Sequence, residues 1–74
     1  MRSISGDNLL YEIYHMAGEK GFVTMARLET ETGISGAGLR PVIEDLKAAL
    51  LIHEHPEGFQ VSSSGMHYCK TKWV

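Results

Sequence analysis

The segment 39–50, LRPVIEDLKAAL, constrains the fold of this chain more than any other. At about 100° per residue, Leu39, Val42, Ile43, Leu46, Ala49 and Leu50 share one arc about 120° wide, and Arg40, Glu44 and Lys47 gather on the opposite side. Such a helix has to lay its apolar stripe on neighbouring elements. The 74 residues available allow one small core. A chain of this length buries only about 60 % of the surface it exposes when unfolded, so a single domain over 1–74 with a thin centre is expected.

The neighbours can be read on either side. Leu9, Leu10, Ile13, Met16 and Ala17 mark one face of a first helix over 8–19, with Asp7 as its N-cap and Gly18 or Gly21 to stop it. Phe22-Val23-Thr24 reads as a short strand. Thr24 then caps a second helix over 25–32 that points Met25 and Leu28 inward. Gly33 ends it in the left-handed conformation and Ile34 drops into the core. Ser35 caps the third helix. Pro41 would lack an amide and crowd the carbonyl four residues back, so regular helix is expected to begin at Ala37 or Gly38 and run to about Leu50. Ile52, Phe59 and Val61 mark two short strands around a Pro56-Glu57-Gly58 turn. The core thus spans about 7–62. The segment 63–74 reads as a short last helix capped by Ser63 or Ser64, with Met66, Cys69 and Trp73 on one side.

Charge narrows the choice of partners. Formal net charge is −2. Nucleic-acid modules are usually basic, because release of counterions from phosphate supplies much of their affinity. Only a local basic stripe can serve that purpose here. One cysteine, Cys69, forms no internal disulfide, which fits a reducing compartment. No apolar run reaches the roughly 20 residues that span a bilayer, and MRSISGDN lacks the apolar centre of a signal peptide. A cytoplasmic protein with no membrane partner is expected.

The order helix, short strand, helix, glycine turn, helix, hairpin resembles the winged helix-turn-helix superfamily: α+β, a three-helix core plus a C-terminal β-hairpin wing. TGISGAGLRPVIEDLKAALLI looks like its second and third helices. IHEHPEGFQVSSSGMHYC looks like its wing, followed by the T-x-x-G-x-x-Y ending of MarR-like regulators; Ser62 stands in the first place, and Gly65 and Tyr68 match. The likeness covers 7–70. In outline the chain is similar to PapI-like fimbrial regulators and to FeoC-like proteins. It lacks the wing cysteines of the latter, so no iron–sulfur role carries over.

The resemblance implies a transcriptional regulator that binds double-stranded DNA as a dimer, its third helix in the major groove. Carried over by position, Ser35, Ala37, Arg40, Glu44 and Lys47 face the groove. Arg40 meets a guanine or a phosphate with its planar fork, Arg27 and Lys47 meet phosphates, and Gln60 lies on the wing. Two features depart from that pattern. The leading edge Ser-Gly-Ala-Gly has few base-reading groups, so readout would lean on DNA shape. The wing offers His53, Glu54, His55, Glu57 and Gln60 in place of lysine or arginine. The alternative is a protein-interaction module that docks a larger partner through the glycine-flattened start of the third helix and exposed aromatics. Arg40, Glu44 and Lys47 at these spacings can equally pair among themselves on a wet helix face.

Remaining constellations are sparse. His53-x-His55 and His67-x-Cys69 lack the spacings of structural zinc sites, and on a helix the second pair diverges by about 200°. Cys69 is expected to be a small buried hydrophobe. No nucleophile motif, bracketing carboxylate pair or phosphate loop points to an enzyme, a cofactor or a small-molecule substrate. Tyr11, Tyr14, Trp73 and Val74 are candidates for a dimer or partner interface. Arg2, Lys70 and Lys72 would form a basic cluster if the termini meet.

Overall fold

A computed structural model describes residues 4–73, and of residue 73 the backbone alone. It shows a small α+β domain: α1 (Gly6–Ala17), α2 (Met25–Thr32), α3 (Gly36–Ala48), the strands β1 (Ile52–His55) and β2 (Gly58–Val61), and α4 (Ser63–Trp73). Leu9, Leu10, Ile13, Leu28, Leu39, Ile43 and Ile52 are fully buried, so every one of the first three helices and the hairpin contributes to one centre. Burial of such side chains stabilises by about 1.5–3 kcal/mol each, which is what closes a chain this short. Among the described residues no helix is long and apolar enough to cross a membrane.

α1 begins two residues before the expected start. Its N-cap is Ser5, whose hydroxyl accepts from the Asn8 amide at 3.2 Å. Asp7 therefore sits inside the first turn, where a carboxylate is favoured by the helix dipole, and is free to reach another element. Gly18 ends the helix. Of Phe22-Val23-Thr24 only Val23 pairs, through reciprocal bonds with Phe59 (Val23 N–H to O 3.0 Å; Phe59 N–H to O 2.8 Å), which fastens the start of α2 to the hairpin.

Thr24 caps α2 by accepting from Arg27 N–H, and Gly33 ends it at φ 72°, ψ 17°, a left-handed geometry that suits glycine. The turn is reinforced from within. Buried Thr32 donates to the Leu28 carbonyl at 2.7 Å and accepts from the Ile34 amide at 3.2 Å.

α3 corrects the expected boundaries at both ends. Ser35 is its N-cap, but the helix starts at Gly36, so Pro41 lies in the second turn. The carbonyl that Pro41 leaves without a donor belongs to exposed Ala37, within reach of water. At the other end the helix stops at Ala48, and Leu51 N–H reaches back to the Leu46 carbonyl while Leu50 N–H bonds Lys47. This is a Schellman closure with Leu50 in the left-handed position (φ 62°). Ala49 and Leu50 thereby leave the apolar stripe; Leu50 is 66 % exposed. The arc read from the sequence holds only as far as the backbone stays helical.

The hairpin pairs Ile52 with Val61, His53 with Gln60, Glu54 with Phe59 and His55 with Gly58, leaving Pro56-Glu57 as the turn. α4 is capped by Ser62 rather than Ser63 or Ser64: its hydroxyl accepts from Gly65 N–H at 3.0 Å and donates to the Leu50 carbonyl at 2.6 Å. Gly65 explains its own identity. A Cβ there would stand 2.1 Å from the Leu51 carbonyl oxygen and 2.8 Å from a Val61 methyl.

Candidate nucleic-acid interface

The exposed side of α3 and the facing side of β1 meet in a four-member charge network. Arg40 Nη1 lies 3.1 Å from Glu44 Oε2 and 3.2 Å from Glu54 Oε1. Lys47 Nζ lies 3.2 Å from the same Glu44 oxygen and 2.8 Å from the same Glu54 oxygen. The helix places Arg40, Glu44 and Lys47 at i, i+4 and i+7. The strand alternation points Glu54 across to them. The Arg40 guanidinium also stands 5.7 Å over the Phe59 ring, a cation–π contact that anchors its stem against the hairpin.

Electrostatics follow from this geometry. Hydrogen bonds from Arg40 and then Lys47 hold the Glu44 carboxyl below its ordinary value. Those from Lys47 and then Arg40 do the same for Glu54. Reciprocally, Arg40 and Lys47 are held more firmly protonated. Two cations and two carboxylates cancel, so the face is polar and close to neutral.

The other predicted site residues are placed as follows. Ser35 spends its hydroxyl on capping, accepting from Gly38 N–H at 3.3 Å. Ala37 is exposed at the leading edge of α3. Arg27, on α2, pairs with Glu31 at 3.6 Å. Gln60, on β2, donates from its amide to the Lys20 carbonyl at 3.3 Å, tying the hairpin to the loop after α1. Thus Arg40, Glu44 and Lys47 are brought together, and Arg27 and Gln60 stand apart from them on other elements. Two participants were missed in the sequence. Glu54 stands in the sequence only as a hairpin residue in place of lysine or arginine, since nothing local shows that a residue 14 positions on faces Arg40. Glu29 accepts from Gly36 N–H, so a side chain of α2 covers the first turn of α3. The i+7 spacing of that pair across a glycine turn was the available signal.

Beside the network, Phe22 is 41 % exposed and meets the His55 ring edge-on at 5.3 Å; His53 and His55 lie 6.2 Å apart on β1. His67 is exposed on α4 while Cys69 is 1 % exposed, and burial pushes the Cys69 thiol up. Among the described residues no three His, Cys, Asp or Glu side chains come together as a metal site.

Lys70 and Lys72 do not cluster. Lys70 pairs with Glu19 at 3.3 Å and Lys72 with Asp7 at 3.0 Å, and Arg2 lies outside the described residues. Tyr14 packs on the core, and exposed Tyr11 stacks on His15 at 6.1 Å; Val74 and the Trp73 side chain lie outside the described residues. An open depression of about 340 Å³ between α1 and the end of α2 is lined by Ser5, Asn8, Tyr11, Glu12 and Thr32, among others. The chain matches no family model, no curated protein and no solved structure.

Proposed function

We propose that this domain is a winged helix-turn-helix that binds double-stranded DNA as a dimeric transcriptional regulator, with α3 in the major groove and the hairpin as the wing. The observation that carries the reading is the convergence of Arg40, Lys47 and β1 on one exposed face, reached through α2, a left-handed glycine and α3. A helix flanked by a two-strand ribbon matches the width of the groove and of the backbone beside it. Arg40 is the group for a guanine edge or a phosphate. Lys47 and Arg27 serve phosphates, and exposed Ala37 offers a methyl at the leading edge. Ser35 contributes mainly by capping.

A second reading is favoured by a specific observation: Arg40, Lys47 and Arg27 each already face a carboxylate. In that reading the domain docks a protein through the start of α3 and exposed Phe22, without DNA.

Titrating salt against random and genomic duplexes separates the two. Duplex binding through several phosphates weakens steeply as salt rises, and Arg40→Ala lowers affinity about tenfold while the fold is kept. Absence of duplex binding at low salt, with folded protein, removes the DNA reading and leaves protein docking.

A further inference from the structure

We infer that Glu54 sets the duplex affinity of this domain, by holding from the wing the two cations that α3 would otherwise present to phosphate. The inference rests on the duplex-binding reading and adds to it a residue that counts against affinity.

The geometry distinguishes the two carboxylates of the network. Glu44 belongs to α3 and travels with Arg40 and Lys47 in any docking event. Among the described residues Glu54 alone reaches them from another element, and a single oxygen, Oε1, contacts both Arg40 (3.2 Å) and Lys47 (2.8 Å). That is the place a bridging phosphate oxygen would take, since both acceptors are anionic oxygens and the donors are the same. All four side chains are partly exposed, 32–51 %. Exposed pairs contribute little to stability, so exchange of carboxylate for phosphate is open without unfolding any element. Glu57 is the natural comparison. It carries the same charge in the same hairpin, at the turn, and pairs with neither cation.

The test measures binding of a labelled 30-base-pair random duplex by wild type, Glu54→Gln and Glu57→Gln across a salt series. Each variant adds the same formal charge, and circular dichroism confirms that each is folded. Glu54→Gln is expected to bind about tenfold tighter than wild type and to steepen the dependence of log affinity on log salt by about 1, since one negative charge is removed and Glu44 still faces both cations; Glu57→Gln stays within about twofold. The gain from Glu54→Gln is expected to vanish when Arg40 and Lys47 are both alanine. Equal gains for the two glutamine variants overturn the role of Glu54 and leave duplex binding standing. A persisting gain without Arg40 and Lys47 does the same. Failure of every protein, Glu54→Gln included, to bind duplex at low salt overturns both.

Discussion

Among the described residues, two places join a carboxylate on one helix or strand to a lysine on another, and they are built differently. At the α1–α4 seam, Asp7 accepts from Tyr68 O–H at 2.9 Å and from Lys72 at 3.0 Å. Close by, α4 brings Gly65 against the Leu51 carbonyl and Cys69 into the core. At the outer edge between α3 and the hairpin, Glu54 meets Lys47 and Arg40 through half-exposed polar groups that lie outside the core both elements share. At the first seam α4 is held by burial of Cys69 and by its close approach to the Leu51 backbone, and the Asp7 ion pair is added to that packing. The second is polar at the surface and exchangeable. A salt bridge reports which elements are neighbours; packing decides whether they can part.

Substitutions in the shared framework should have the largest effect. Ile43→Ala removes a fully buried side chain from the inner face of α3 and should cost about 3–4 kcal/mol in chemical denaturation. Gly65→Ala forces a methyl into the Leu51 carbonyl and should cost about 3 kcal/mol by the same measurement. A loss well under that from Gly65→Ala would mean that α4 can lift, and the contrast between the seams would collapse.

A middle-sized effect of opposite sign is expected at Leu50. This residue adopts φ 62° with its side chain 66 % exposed, so Leu50→Gly should relieve left-handed strain at little cost in packing and stabilise by about 1 kcal/mol. Destabilisation would show that the exposed leucine has a contact worth more than the strain.

The smallest effect concerns acid. Asp7, whose carboxyl is lowered by Lys72 and then Tyr68, and Glu44 and Glu54, lowered by the α3 cations, all titrate below their ordinary values of 3.8 and 4.5 in the folded chain. Their contribution is present above those values and is lost as pH falls through the lowered ones, because the folded state then resists protonation that the unfolded state accepts. Thermal melts should therefore decline as pH falls from the ordinary carboxylate values through the lowered ones. Arg40→Ala should leave the neutral midpoint nearly unchanged and shrink the decline due to Glu44 and Glu54. A large fall at neutral pH in that variant would promote the contact between α3 and Glu54 from an exchangeable one to a structural one.

How much of this was legible beforehand depended on range. Ser35 and Thr24 as caps, the left-handed Gly33 and the buried Leu9, Leu10, Ile13, Leu28, Leu39 and Ile43 follow from interactions within a few residues, and the structure has each of them. The hairpin and its turn were legible in the same way. The errors fell at ends. Asp7 looked like a cap, but Ser5 offered a hydroxyl two residues earlier and took the role. Ser62 displaced Ser63 and Ser64 because the Leu50 carbonyl was waiting for it.

By itself the sequence determined an α+β order of elements, since periodicity, glycine turns and capping hydroxyls act locally and need no knowledge of the rest of the chain. Only the tertiary structure decided that Glu54 neutralises Arg40 and Lys47, that Asp7 reaches Lys72, and that a glycine is required at 65. Those outcomes arise where separate elements meet. Charge and clearance across such a junction depend on distances that no spacing along the chain encodes.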